Sequence, residues 1–323
     1  MQRLQQMLSE EGFAQVESAK GRSSVADLYK PGRRCGVYVL LFSDGQSYIG
    51  QSVDVVRRYT QHIRVHRDVE AIGFRELLPA ELDAVEQDLI RLAERSGHKL
   101  RNITFSALPP VMSDFDLVMA VQAQERWLSG QNLIETEDIR IVNPDLREKY
   151  ASKYRRFRTY VGTDTVVSKL RRYIGVAIPA IKRAEVSFWA VTCLPAYNNP
   201  DITLFLRVNL YRQEVLTIYR ALDAGVDYVS LHVARGPIEQ DASLGCAFPD
   251  LEISEHAYQP GGHDQLNLVI PCEELDDLMD RESVRVAVRM FNHRLMKKGP
   301  CLFSRFHCLD LADEIVKGPG EIP

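Results

Sequence analysis

Two short strand-like runs separated by three turn-forming residues constrain this chain more than any other feature. Residues 37–42 and 46–50 have the pattern of β-strands, and Ser43-Asp44-Gly45 lies between them. A three-residue loop joins antiparallel strands when its last residue adopts the left-handed conformation, which glycine allows. The sequence therefore predicts a β-hairpin with Gly45 in that position.

The loop length also decides which side chains face each other. With three loop residues, Tyr38 pairs with Gly50 and Leu40 pairs with Tyr48, so the two tyrosines share one face. A two-residue loop would shift the register by one residue and place the tyrosines on different faces. The opposite face collects apolar side chains that can form a core, namely Val37, Val39, Leu41 and Ile49.

A basic helix is expected directly after the hairpin. Asp54 is suited to be its N-cap, and Arg58 and His62 are four residues apart, so their side chains project from one face. A guanidinium beside an imidazole suits a phosphate group, because the first donates a planar fork of hydrogen bonds and the second exchanges a proton near neutral pH. By itself, the pair would favour an exposed basic helix, so it counts only together with other signals.

The helix that follows Pro79 carries one carboxylate on its apolar side. Glu86 falls within the stripe formed by Leu82, Val85, Leu89 and Ala93. Burying a carboxylate is costly unless it is paired or binds a metal, so Glu86 is expected to have a partner such as a divalent cation or Arg58. An ion pair with an arginine that serves stability alone is the alternative.

Together these features resemble the GIY-YIG nuclease superfamily. The two name-giving triplets correspond to Gly36-Val37-Tyr38 and Tyr48-Ile49-Gly50, with valine in place of the first isoleucine. An arginine follows eight positions later at Arg58, and His62 follows four residues after it. The resemblance covers residues 36–102 and implies a small three-stranded antiparallel sheet flanked by helices.

The resemblance also implies an active site that hydrolyses phosphodiester bonds in nucleic acid, first of all DNA, with roles such as restriction or phage defence. The predicted catalytic residues are Tyr38, Tyr48, Arg58, His62, Glu86 and Asn102. Tyr38 or His62 would move the proton of the attacking water, and Glu86 would hold one Mg²⁺ or Mn²⁺ ion. Glu125, on a later predicted helix, is the alternative metal ligand.

Composition limits the other possibilities. The chain has 323 residues, of which 45% are hydrophobic, which predicts a soluble protein with two domains. A formal net charge of -4 argues against unspecific coating of nucleic acid, so any such contact should be local. The six cysteines form no Cys-x-x-Cys pair, and no apolar run is long enough for a membrane span. A cytoplasmic protein with reduced thiols is expected.

The predicted domains are 1–148, the nuclease domain with a peripheral lead-in before Gly36, and 149–323. The second is expected to be α+β with a mixed or antiparallel sheet, and its role is target recognition or regulation. The basic stretch 154–158 at its start is the first candidate for DNA contact. A catalytically weak nucleic-acid-binding or sensor protein is the alternative function. DNA or RNA as substrate, sequence specificity and a homodimeric state remain open.

Overall fold

A computed structural model describes residues 2–13, 15–102, 113–131, 140, 143–255 and 258–316. The chain forms two compact units, Met1–Pro110 and Val111–Pro323. Each unit combines helices with one antiparallel sheet, so the predicted α+β class is confirmed for both. None of the helices that the structure describes has the length and apolar character that a membrane crossing needs.

The first unit is built on a four-stranded antiparallel sheet in the order β1-β4-β2-β3. Its elements are α1 (Gln2–Glu10), β1 (Val16–Ser18), β2 (Gly36–Phe42), β3 (Ser47–Ser52), α2 (Val55–Val65), β4 (Val69–Glu76) and α3 (Leu82–Arg95). Three strands were predicted. The fourth is β1, which comes from the lead-in and pairs with β4 over three residues.

The hairpin of β2 and β3 has the predicted register. Tyr38 pairs with Gly50 and Leu40 with Tyr48. Gly45 has a φ of 79°, in the left-handed region that a side chain disfavours. The loop is therefore the three-residue form, and both tyrosines lie on one face of the sheet.

Both faces of this sheet are covered. The predicted core residues Val37, Val39, Leu41 and Ile49 pack with the apolar side of α3. The tyrosine face packs against α2, where Tyr38, Leu40 and Phe42 form a cluster with Val55 and Tyr59. The sheet is therefore enclosed by α3 on one face and by α2 on the other.

The second unit contains a six-stranded antiparallel sheet in the order β5-β6-β7-β8-β10-β9. Its strands are β5 (Trp189–Cys193), β6 (Ile202–Leu210), β7 (Gln213–Ala221), β8 (Asp227–Val233), β9 (Glu252–Glu255) and β10 (Leu266–Pro271). Its helices are α4 (Phe115–Val118), α5 (Val121–Leu128), α6 (Pro144–Phe157), α7 (Thr163–Ala177), α8 (Ile181–Ala184), α9 (Arg235–Glu239), α10 (Leu244–Ala247), α11 (Leu275–Asp280), α12 (Glu282–Lys298) and α13 (Leu309–Val316). One core cluster contains residues of these helices and of the sheet.

The boundary between the units lies at 110/111, earlier than the predicted 148/149. The reason is burial: Phe115, Trp127, Tyr150 and Phe157, from α4, α5 and α6, all belong to the core of the second unit. The predicted boundary at 148/149 thus falls inside α6, a helix that packs into the core of the second unit. The sequence pattern also favours a further strand at 102–108, beyond the three of the nuclease sheet, and all of it except Asn102 lies outside the described residues.

Candidate active site

A hydrogen-bonded group of three side chains lies where the hairpin meets α2. The Tyr38 hydroxyl is 2.7 Å from Nε2 of His62, and Nε of Arg58 donates to the same oxygen over 3.3 Å. Tyr38 is 0% exposed. The structure brings these three predicted residues together because β2 places Tyr38 under the helix face that carries both Arg58 and His62.

The direction of these hydrogen bonds follows from which groups can donate. An arginine side chain only donates, so the Tyr38 oxygen accepts from Arg58, and its own proton is available for His62. Burial, Arg58 and His66 lower the pKa of His62 to about 4. The imidazole is therefore neutral at pH 7 and accepts the Tyr38 proton at Nε2.

Burial has the opposite effect on the pKa of Tyr38. Removal from water, followed by the neighbouring Tyr48, raises it well above the ordinary value of a phenol, although Arg58 partly opposes the shift. A standing phenolate is thus disfavoured. Tyr38 is suited to pass a proton to His62 rather than to store a negative charge.

Tyr48, on β3, lies beside the same group of side chains. Its ring lies 4.6 Å from the ring of His62 and 6.1 Å from the ring of Tyr38, measured between centroids. Gly50 makes this arrangement possible, since a Cβ atom there would lie 2.6 Å from the Tyr38 hydroxyl oxygen. The glycine of the second triplet is therefore required by close packing of the two tyrosines.

Glu86 is buried on α3, with only 7% of its surface exposed. Its carboxylate accepts a hydrogen bond of 2.9 Å from Nε2 of Gln51, and the same amide group donates to Asp83. Burial raises the pKa of Glu86, while Gln51 and the charge of Arg58 lower it. Among the described residues, Arg58 thus influences the pKa of Glu86 through its charge, and Gln51 donates the side-chain hydrogen bond that the carboxylate accepts.

Gln51 and Asp83 belong to the site, although sequence reasoning missed both. Gln51 directly follows the second triplet, and Asp83 lies three residues before Glu86, hence on a neighbouring part of the same helix face. The three-residue spacing between Asp83 and Glu86 was the sequence signal that could have identified Asp83. It was overlooked because Asp83 is exposed and looks like an ordinary surface residue.

Glu125 is exposed and lies on α5 in the second unit. The cost of burial that singles out Glu86 does not apply to it. All six predicted catalytic residues lie in the first unit. The charge of Glu86 acts on both tyrosines of the hairpin, which places its carboxylate in their neighbourhood within the first unit.

Asn102 bonds to the backbone of the hairpin. Its side-chain oxygen accepts from the N–H of Ile49 over 2.9 Å, and its side-chain nitrogen donates to the carbonyl of the same residue. Asn102 is 3% exposed. Because Ile49 lies between Tyr48 and Gly50, Asn102 is a positioning residue for the second triplet.

The donor set near Glu86 fits a hard divalent cation. Among the residues that the structure describes, no three or more histidine, cysteine, aspartate or glutamate side chains are arranged to hold a metal ion. Mg²⁺ needs less than that, since it keeps several waters and binds through one or two carboxylates and a substrate phosphate. Glu86, with the Asp83 carboxylate beside it, offers oxygen ligands of this kind.

Comparison of this chain with known protein families, with characterised proteins and with solved structures found no match.

Proposed function

We propose that the first unit is a metal-dependent endonuclease that hydrolyses phosphodiester bonds in nucleic acid, with DNA as the first substrate. The observation that carries the proposal is the joint placement of Tyr38, His62 and Arg58 near a glutamate that is almost fully buried. A module that only binds nucleic acid would gain nothing from burying a carboxylate beside a phosphate site.

In the proposed reaction, Arg58 binds the phosphate and neutralises charge that grows on it in the transition state. The attacking water gives its proton to the Tyr38 oxygen while the Tyr38 proton moves to Nε2 of His62. The negative charge of the phosphate raises the pKa of His62 from its low resting value, which makes the transfer favourable. Tyr48 hydrogen-bonds the water or the phosphate.

Glu86, assisted by Asp83, would hold one Mg²⁺ or Mn²⁺ ion, which when bound supplies Lewis-acid stabilisation of the leaving oxygen. Around the site, α2 and the turn after it carry Arg57, Arg64 and Arg67, which are exposed and form no ion pair within the described residues. These cations are suited to the phosphates that flank the bond to be cut. Asn102 keeps the Tyr48 strand in position.

Nicking of supercoiled plasmid in Mg²⁺ tests the proposal. Glu86→Gln and Arg58→Ala are each expected to lower the rate by a factor on the order of 10² to 10³. Two matched controls are Glu125→Gln and Arg95→Ala, a glutamate and an exposed arginine to which the proposal gives no role. Full activity of both site variants would remove the assignment, and loss confined to Glu125→Gln would move the metal ligand to Glu125.

A catalytically weak binding or sensor protein is the second candidate. One observation favours it: Gln51 already satisfies the carboxylates of Glu86 and Asp83, so that they have a role without a cation. Incubation with plasmid, single-stranded DNA and RNA in Mg²⁺ or Mn²⁺ separates the two candidates. Only a metal-dependent nuclease forms cleavage products, and a chelator prevents their formation. Dependence of duplex cutting on protein concentration tests for a homodimer, and phage plating efficiency tests a defence role.

A further inference from the structure

On the strands β7, β8 and β10 of the second unit, one face of the sheet is not part of the core. The helices of this unit pack on the other face, together with alternate strand residues such as Leu216, Ile218 and Leu231. The residues that alternate with these point away from the core and are partly exposed. Among them are Thr217, Tyr219, Tyr228, Ser230 and Val269.

Two tyrosines lie side by side on this outer face. Tyr219 on β7 pairs directly with Tyr228 on β8, and their rings are 5.9 Å apart between centroids at an interplanar angle of 24°. Tyr197, in the loop between β5 and β6, is 52% exposed. Burial, Glu252, Tyr228 and Tyr197 all raise the pKa of Tyr219, which places Tyr197 in the same neighbourhood.

A basic pocket adjoins the tyrosines. It has a volume of about 410 Å³, and Lys153, Arg156, Tyr160 and Tyr197 are among the residues that line it. Nζ of Lys153 donates to the carbonyl of Leu194 over 3.0 Å. Within the described ranges, neither Lys153 nor Arg156 has a carboxylate partner, so both positive charges are available for an anion.

Only part of the basic stretch 154–158 is available to a ligand in this pocket. Arg158 is taken up by Asp164 at 2.6 Å and by Glu314 at 3.7 Å, and the Tyr154 hydroxyl also donates to Glu314. These two side chains therefore serve the fold. The cations that remain for a ligand are those on the pocket side of α6.

The pocket and the tyrosine pair form one continuous surface. Leu204 lines the pocket and is also the direct strand neighbour of Tyr219. Adjacent strands are about 4.8 Å apart, so a chain lying in the pocket reaches the first tyrosine ring without crossing other elements. We call Lys153, Arg156, Tyr197, Tyr219 and Tyr228 the tyrosine–cation surface.

We propose that the tyrosine–cation surface binds a single strand of nucleic acid, with phosphates at Lys153 and Arg156 and unpaired bases stacked on the tyrosines. Every base has a π face that stacks on an aromatic ring, whereas the bases of a duplex are already stacked on one another. Clustered free cations beside aromatic rings on an open sheet are the combination that single strands require. This inference rests on the proposed nuclease function and gives the second unit its substrate class.

The test is fluorescence anisotropy with a labelled single strand of about 15 nucleotides, as DNA and as RNA, and with the duplex of the same sequence. The full chain carrying Glu86→Gln is used in chelator, so that cleavage cannot interfere and the result does not depend on catalysis. Tyr219→Leu combined with Tyr228→Leu should weaken single-strand binding about tenfold. The corresponding Tyr→Phe pair, which keeps both rings, should bind within about twofold of the parent.

Lys153→Ala with Arg156→Ala should weaken binding and reduce the slope of log K against log salt by about 1.4, the value for two phosphate contacts on a single strand. Arg126→Ala, an exposed arginine on α5, is the control and should change neither value. Unchanged affinity in the leucine and alanine pairs would overturn the proposal, as would equal weakening for duplex and single strand. Neither result would affect the nicking experiment.

Discussion

Removal of the Asn102 side chain should destabilise the first unit far more than the loss of one polar residue usually does. Because β3 is an edge strand, the N–H and C=O of Ile49 point away from β2 and have no strand partner. Asn102 supplies both missing hydrogen bonds from a buried position. Asn102→Ala leaves two buried backbone groups without partners.

The size of the effect follows from that count. An unsatisfied buried group costs about 1–3 kcal/mol, so the two together should lower the free energy of unfolding by about 2–6 kcal/mol. For a unit of this size, such a loss lowers the melting temperature by more than about 10 °C. The exposed Asn199, whose side chain bonds only within its own loop, is a matched control, and Asn199→Ala should shift stability by less than about 0.5 kcal/mol.

Thermal denaturation, with hydrogen exchange of the Ile49 amide, measures the effect. Asn102→Asp adds a second test, because it keeps the acceptor but turns the donor towards Ile49 into an acceptor. The introduced carboxylate is destabilised in the folded state, so its pKa is raised there. The defect should therefore be present at neutral pH and be relieved as the pH falls and the group is protonated. A melting temperature of Asn102→Ala equal to that of the wild type would refute the reasoning.

Three further predictions concern the site itself. Tyr38→Phe removes the hydroxyl that the proposed mechanism places between the attacking water and the imidazole, and it should lower the cleavage rate by a factor of about 10² to 10⁴ in the nicking assay. Gly50→Ala should abolish activity and destabilise the first unit, because its Cβ would lie 2.6 Å from the Tyr38 hydroxyl, whereas Gly175→Ala, with nothing within 4 Å, should be neutral or stabilising. Gln51→Leu removes a hydrogen bond that lowers the pKa of Glu86, so the acidic limb of the pH profile of kcat/KM should move to higher pH. A limb that does not move would show that another group controls it.

The hairpin and its neighbours could be predicted from the sequence because local rules decide them. A three-residue loop ending in Gly45 dictates the register, and the register alone puts Tyr38 and Tyr48 on one face. Helical spacing likewise placed Glu86 on the buried side of α3. These are relations within one or two elements, where the geometry has few alternatives.

What the sequence did not show depends on contacts between distant segments. β1 is only three residues long, and nothing in Val16–Ser18 indicates that it pairs with β4. The predicted boundary at 148/149 follows polarity, which marks exposed residues, whereas the compact units divide at 110/111 because Tyr150 and Phe157 of α6 pack into the second core. The tyrosine pair on the outer sheet face was missed for a related reason: its alternation was visible, but which face would be free of helices was not.

The hydrogen bonds along the outer edge of β3 have a consequence for assembly. The main chain of residues 99–101 bonds to Ser47, and the Asn102 side chain bonds to both outward-facing backbone groups of Ile49, so these groups are not available to an incoming strand. Exposed edges invite strand addition and aggregation, and this one is shielded by a short segment and one amide. Two copies that cut opposite strands of a duplex would therefore have to meet through a different surface, and a variant that lost Asn102 would be prone to self-association.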